Sequence, residues 1–350
     1  MTRSVSALLS VFVLGLVPGA ASAQTLAHRF IEVVPDVYAA VGNGTIQTQD
    51  TAAVIVNEHD VLLVDTNITP EATRRLVADI RTLTDNPVRY VVNTHWHYDH
   101  TDGNQIFGPD VQIIGHEKAR EAIRSGALQS LLDVTLQGVP ATIDTLRARV
   151  AAEEDPALRV SLEQQLAVRQ AFGEQLKETV PTPPNVTLTD RLTIHSDGRE
   201  IQVIHPGIGH TDGDVLVYLP AERVLITGDY WEGDRTGALR FGFHDDWADN
   251  LEQLKAMDFE HVIPGHGEPF DGKETIAYFQ AFLRDLWQQT KALYEQKVPV
   301  AVTAERVDLT THAAHYANIR GPGFDVRTIA RIYQVLDERM QDATGGAEAR

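Results

Sequence analysis

Cysteine is missing from this 350-residue chain. Its absence excludes a disulfide-stapled scaffold, a thiol nucleophile, a thiolate zinc site and an acylated lipoprotein cysteine. Any metal must be held by histidine and carboxylate. Positive charge is also scarce: 30 Lys and Arg stand against 49 Asp and Glu, for a formal net charge of −19. A surface that negative repels phosphate backbones and anionic lipid, which excludes nucleic acid as the expected partner and disfavours a nuclease. Beyond the N-terminus no segment is apolar enough to span a membrane. With 43% hydrophobic and 23% charged residues, the chain can still bury a sizeable core.

The N-terminus carries Arg3, an apolar stretch from Val5 to Val17, and Ala21-Ser22-Ala23 in a small-x-small pattern. This predicts a signal peptide over 1–23 and a periplasmic or secreted protein, with 24–350 forming one domain. Pro18-Gly19 cuts the apolar stretch short of the roughly 20 residues a membrane anchor needs.

Strand patterns follow at Val37–Val41, Ala52–Val56 and Val61–Val64, the last two joined by the polar turn Asn57-Glu58-His59-Asp60. Thr69-Pro70-Glu71 opens a helix with Leu76, Val77 and Ile80 on its apolar face. A short apolar strand, Val88–Val92, then leads into a histidine-rich segment. After Val111–Ile114, a helical insert is expected over about 116–180, with Asp155-Pro156 starting its best helix and Leu158, Leu162, Leu166 and Leu176 at helical spacing. Strands return at Val186–Leu188, Leu192–His195, Ile201–His205, Val215–Leu219 and Val224–Thr227. Helices are expected at Ala248–Met257, at Lys273–Gln296 behind an Asp271 cap, and at Val326–Met340, with a frayed tail from Gly345-Gly346. Strands, helix, insert, strands and helices in that order suit two packed sheets between helical layers.

Of the 14 histidines, five fall in a readable arrangement: His95, His97 and His100 in Thr94-His95-Trp96-His97-Tyr98-Asp99-His100, His210 in Gly209-His210-Thr211, and His266 in Pro264-Gly265-His266-Gly267. Asp99 and Asp229 join them. Residues two apart on an extended segment point the same way, so His95 and His97 can serve one ion. Asp99 and His100 can both face a neighbouring ion if the chain leaves the extended form there. His210, Asp229 and His266 each follow a predicted strand or lie in a Gly-rich turn, where functional side chains collect.

These four blocks, in this order, resemble the metallo-β-lactamase superfamily of metallohydrolases. The resemblance implies an αββα four-layer sandwich with a dinuclear site at one edge of the paired sheets, decorated by the helical insert and by C-terminal helices over about 273–342. It implies two Zn(II) ions per chain, one held by His95, His97 and His210, the other by Asp99, His100 and His266, with Asp229 bridging. Iron or manganese also suits an all-nitrogen-and-oxygen donor set. The implied reaction is attack of an ion-held hydroxide on the carbonyl of an ester, thioester or amide in a small-molecule substrate, with Asp99 orienting the hydroxide and taking its proton. β-Lactam ring opening is the leading reading, because Thr211–Pro220 looks like secreted lactamases. Asp229 stands where many true β-lactamases have Cys or Ser and is similar to glyoxalase II and lactonases, so a lactonase or thioesterase is the enzymatic alternative. A zinc-binding module without turnover is the non-enzymatic one.

Around these ligands the reading stays open. Asp65 either hydrogen-bonds a ligand histidine or caps the next turn. Trp96, Tyr98, Tyr230 and Trp231 line either the cleft or the core. His116 and His244 are minor candidates for the pocket, and the insert either decorates the surface or roofs the site.

Overall fold

The computed structural model describes residues 25–348; the expected signal peptide at 1–23 lies outside the described residues. Two sheets lie face to face. The first takes its strands in chain order: β1 (His28–Val34), β2 (Val37–Gly42), β3 (Thr51–Val56), β4 (Val61–Val64), β5 (Val88–Val92), β6 (Gln112–His116) and β7 (Val186–Leu188). Its first four strands form an antiparallel meander, and β4 to β7 run parallel. Parallel neighbours need crossovers. α1 (Pro70–Ile80) supplies the first, and α2 (Tyr98–Thr101) lies in the second. The third is the insert itself, α3 (Glu117–Arg124), α4 (Ala127–Ala152) and α5 (Pro156–Leu176).

The second sheet contains β8 (Arg191–Ser196), β9 (Arg199–Ile204), β10 (Leu216–Leu219), β11 (Val224–Gly228), β12 (His261–Pro264) and β13 (Phe270–Asp271), again adjacent in chain order. Only β11 and β12 are parallel, bridged by α6 (His244–Ala256). The chain then closes with α7 (Glu274–Glu295), α8 (Val300–Arg306) and α9 (Val326–Glu348).

Strand alternation explains the layers. On β3, Ala53 and Ile55 face the second sheet, while Ala52 and Val54 face α1; on β4, Leu62 and Val64 point inward, and Val61 and Leu63 outward. The inter-sheet core continues with Ile201, Val203, Val217 and Ile226. Leu76 and Ile80 of α1 cover the outer face of the first sheet, and α6 to α9 cover the second around Trp231, Trp247 and Phe282. Each strand with two buried faces therefore reads as a nearly continuous apolar run. The result is the expected αββα sandwich.

Local signals hold where they are self-contained. The Thr69 side chain accepts a hydrogen bond from Ala72 N at 3.1 Å, and Asp155 accepts from Ala157 N at 2.8 Å. Two features depart from expectation. Asp271 does not cap α7; it sits on β13 and accepts a hydrogen bond from His261 Nδ1 at 2.7 Å across the strand pair, so Lys273 stands at the cap position without a side-chain bond. The terminal helix extends through Gly345-Gly346 to Glu348, beyond the Met340 expected as its end. In the insert, Leu162 and Leu176 are buried but Leu158 is exposed, because only part of α5 faces the body of the molecule. Among the described residues no helix is long and apolar enough to cross a membrane.

Leu76 is fully buried between α1 and the first sheet. Leu76→Ala is expected to destabilise the fold by about 2–5 kcal/mol, read from the urea midpoint at constant m-value.

Candidate metal centre

Four strand ends aim at one place. β4 ends at Asp65, β5 at the Thr94–His100 segment, β11 at Asp229, and β12 at His266. All four are C-terminal ends of parallel strands, the edge at which open α/β sheets collect ligands. His210 arrives on the loop between β9 and β10. Backbone bonds stitch the two sheets together here: Val215 N donates to Thr94 O and Thr51 N to Gly265 O, each at 2.7 Å.

The structure brings all seven sequence-selected side chains into one cluster, all but His266 buried. His97 Nδ1 lies 2.9 Å from His95 Nε2 and 3.0 Å from His210 Nε2. Asp229 divides its oxygens between two sets of donors. Its Oδ2 faces His210 Nε2 at 3.4 Å and His95 Nε2 at 3.9 Å, whereas Oδ1 faces His100 Nε2 and His266 Nε2 at 3.3 Å each. Asp99 Oδ2 completes the second set, 3.5 Å from His266 Nε2 and 3.9 Å from His100 Nε2. Glycine is required beside it: a Cβ at Gly265 would fall 2.2 Å from Asp229 Oδ1.

Hydrogen bonds behind the cluster fix which nitrogen faces it. His100 Nδ1 donates to Asp65 Oδ2 at 2.8 Å, and His266 Nδ1 donates to the Gln49 carbonyl at 3.0 Å, so each turns its Nε2 toward the cluster. Thr94 Oγ1 donates to Asp65 Oδ2 at 2.7 Å and meets His95 Nδ1 at 3.1 Å. Asp65 thus orients two histidines, which resolves its open role in favour of ligand support. Gln49 is a residue the sequence does not flag: it also donates from Nε2 to Asp99 Oδ2 at 2.9 Å. No motif marks it, because it reaches the site from an irregular loop between β2 and β3.

The electrostatics split the cluster. Burial holds His95 and His97 well below the usual histidine range and His210 down to about 4, leaving neutral imidazoles with one ring nitrogen each turned into the cluster. Burial also opposes charge on His100 and His266, but there it is outweighed by carboxylates, chiefly Asp229, which raise His100 well above its ordinary value and His266 to about 10. Despite its burial, Asp229 is held well below the carboxylate range by His266 and His100. Buried His100 Nε2 and Asp229 Oδ1 have no hydrogen-bond partner. Converging neutral imidazoles, partnerless inward atoms and a carboxylate that faces both sets fit a pair of divalent cations, and the sulfur-free donor set suits zinc with iron or manganese as alternatives.

A cleft of about 980 Å³ opens onto this cluster, lined by Tyr98, Asp99, Asp229, His266, Glu232 and Arg240 among others. Of the four flanking aromatics only Tyr98 lines it. Trp96 packs against Phe241, while Tyr230 and Trp231 are core, because Asp229 ends a strand and the chain after it turns back under α6. His116 instead caps α3, accepting from Lys118 N at 3.2 Å, and buried His244 opens α6, pushed down to about 3 by burial. The insert neither roofs the cleft nor merely decorates the surface. Leu132, Val139, Phe172 and Leu176 pack with Ile68 and against Tyr98, bracing the loops that carry the cluster from behind.

Comparison with known proteins agrees with this geometry. The chain belongs to the metallo-beta-lactamase superfamily, whose description matches residues 47–266. It is 27% identical over 270 residues to the linear primary-alkylsulfatase of a Pseudomonas species, a match covering 73% of this chain and 49% of that protein. A second relative is the metallo-beta-lactamase type 2 of Bacteroides fragilis, 22% identical over 243 residues, 68% of this chain and 76% of that one. The chain spans about half the length of the first curated relatives it matches, 49% and 57%. Among solved structures, the stereoselective inverting sec-alkylsulfatase from Pseudomonas sp. superposes with a TM-score of 0.59 at 19% identity, over 88% of this chain and 50% of that one. A metallo-beta-lactamase from Pontibacter korlensis gives 0.53 at 18% identity, over 73% and 99%. These structural likenesses concern the fold.

Two outcomes follow. Since neighbouring carboxylates raise His100 above its ordinary value and His266 to about 10 in the metal-free protein, loading metal is expected to release protons, with affinity falling as pH falls. Calorimetry in buffers of different ionisation heat reads this directly. Asp65→Asn, which loses a fixed acceptor for His100, is expected to weaken metal affinity by about 10–100-fold in a chelator competition.

Proposed function

We propose that this chain is a dinuclear metal-dependent hydrolase acting on a small molecule that carries an anionic group beside the bond to be cleaved. The observation that carries the first half is the division of Asp229 between two donor sets, His95, His97 and His210 on one side and Asp99, His100 and His266 on the other. Two zinc ions are the proposed occupants. Cations bound at such a site lower the pKa of water from 15.7 to about 7 and withdraw charge from the bond under attack.

The chain's own residues supply the rest. Asp99 lines the cleft and its carboxylate is steadied by the Gln49 amide at Oδ2, so the side chain is placed to take a proton from the attacking water and return it to the leaving group. Tyr98 walls the same cleft and is braced from behind by the insert. The second half of the proposal rests on Arg240. The cleft is otherwise rich in carboxylates, and Arg235 is tied to Glu232 at 3.0 Å. Arg240 makes no hydrogen bond or ion pair among the described residues; its guanidinium lies over Phe241, 5.1 Å from the ring centre, and that ring is 4.7 Å from His97. A cation left free at the mouth of an acidic cleft suits a carboxylate or a sulfate on the substrate.

Opening of a β-lactam ring, whose neighbouring carboxylate would meet Arg240, is the leading assignment. Hydrolysis of an alkyl sulfate is the second reading, favoured by the 27% identical alkylsulfatase relative. Lactone and thioester hydrolysis belong to the same test. Zinc-loaded protein assayed against a chromogenic cephalosporin, a lactone panel, S-lactoylglutathione and a linear alkyl sulfate is expected to turn over at least one. Inertness toward all of them, with metal bound, would instead leave a metal-binding module. On the active substrate, Asp99→Ala is expected to lower kcat by about 100-fold or more. Arg240→Gln should raise KM by about tenfold for the anionic substrate while leaving a neutral ester unchanged, separating substrate capture from chemistry.

A further inference from the structure

Among the cleft carboxylates that the proposed hydrolysis does not use, one is buried. Glu232 lies three residues beyond Asp229, just past the tight turn that follows β11, and is only 4% exposed. The turn is rigid: Tyr230 N donates to Thr227 O, Thr227 Oγ1 donates to Trp231 O at 2.7 Å, and Trp231 is fully buried against Phe259 and Phe270. Asp229 and Glu232 are thereby delivered to the same side of the chain.

The two oxygens of Glu232 have different surroundings. Oε2 accepts a hydrogen bond from Arg235 Nε at 3.0 Å, which pins the carboxylate plane. Oε1 is buried and has no hydrogen-bond partner. Room for it is kept by Gly237, whose φ of 62° is left-handed and whose missing Cβ would lie 2.7 Å from that oxygen. One ligand atom each from Asp229, Glu232 and His266 falls within 4.8 Å of the others. Donors around a single ion at bond lengths of about 2.0–2.2 Å lie no more than about 4.4 Å apart, so a shift of a few tenths of an ångström closes the set.

We propose that Glu232 is a further metal-binding side chain, its free Oε1 serving the cation position shared by Asp229 and His266. This rests on the two-cation reading above. The consequence is chemical asymmetry between the two positions. One has three imidazoles and a single carboxylate oxygen from Asp229; the other would have Asp99, Asp229 and Glu232 with two imidazoles. Carboxylate-rich sets favour harder ions such as Mn²⁺, imidazole-rich sets favour zinc. Glu232 therefore biases the centre toward holding two different metals.

The test uses the full chain stripped by chelator, titrated with Mn²⁺ or Zn²⁺ by calorimetry, with free Mn²⁺ counted by its electron paramagnetic resonance signal. Wild-type protein is expected to bind two ions. Glu232→Ala should weaken Mn²⁺ binding at one position by about tenfold or more while Zn²⁺ at the other changes by less than about twofold. Glu232→Gln keeps the shape and one neutral oxygen, folds without the repulsion between carboxylates, and should fall between. Unchanged Mn²⁺ affinity in both variants overturns the assignment and leaves the two-cation centre standing. Equal losses of Zn²⁺ and Mn²⁺ at both positions overturn it in favour of a purely structural Glu232. Absence of any bound ion in the wild type removes this assignment and the two-cation reading together.

Discussion

A single buried carboxylate organises the cluster: Asp229 presents one oxygen to His95 and His210 and the other to His100 and His266. Its burial alone would disfavour the charge, so the carboxylate persists only because cationic partners surround it. That electrostatic demand runs through the neighbouring elements. The turn after β11 must be tight, Gly265 must lack a side chain, and the imidazoles must arrive in the correct tautomer. Asp65 enforces the last condition while standing in a left-handed backbone conformation, φ 63°, which is a local strain borne by a residue at a candidate functional site.

The sandwich makes such a demand tolerable. Both sheets are buried on two faces, so the strand ends that carry the side chains have little freedom to drift. The elements outside the shared motif add to this stiffness in different ways. The insert braces Tyr98 and Ile68 from behind, and the long C-terminal helices cover the second sheet. Among the described residues neither supplies a metal-ligand candidate. Their positions separate support of the centre from shaping of the cleft, which falls to the irregular segment that carries Glu232, Arg235 and Arg240.

Charge is distributed with the same economy. The chain carries a net charge of −19, and the cleft concentrates several of its carboxylates around the candidate cation positions. Against that background Arg240, which unlike Arg235 has no ion-pair partner among the described residues, stands out, since a free cation in an acidic pocket gives direction to an anionic substrate without neutralising the centre.

Much of this molecule was written locally. The period-two alternation of β3 and β4, the Thr69 and Asp155 caps, and the compact His95–His100 segment each depend on residues a few positions apart, so they were legible from the chain alone. The order of the four histidine and aspartate blocks carried the family resemblance for the same reason. What stayed hidden depends on distance along the chain. Gln49 meets His266 across 217 positions, Glu232 and Arg240 matter only because their loop folds over the cluster, and Asp271 pairs with His261 instead of capping a helix because β13 claims it. Sequence determined which side chains were available and the local geometry of each; only the packing of one sheet on the other decided which atoms of those side chains would share a dry, confined space, because burial and proximity are properties of the assembled layers.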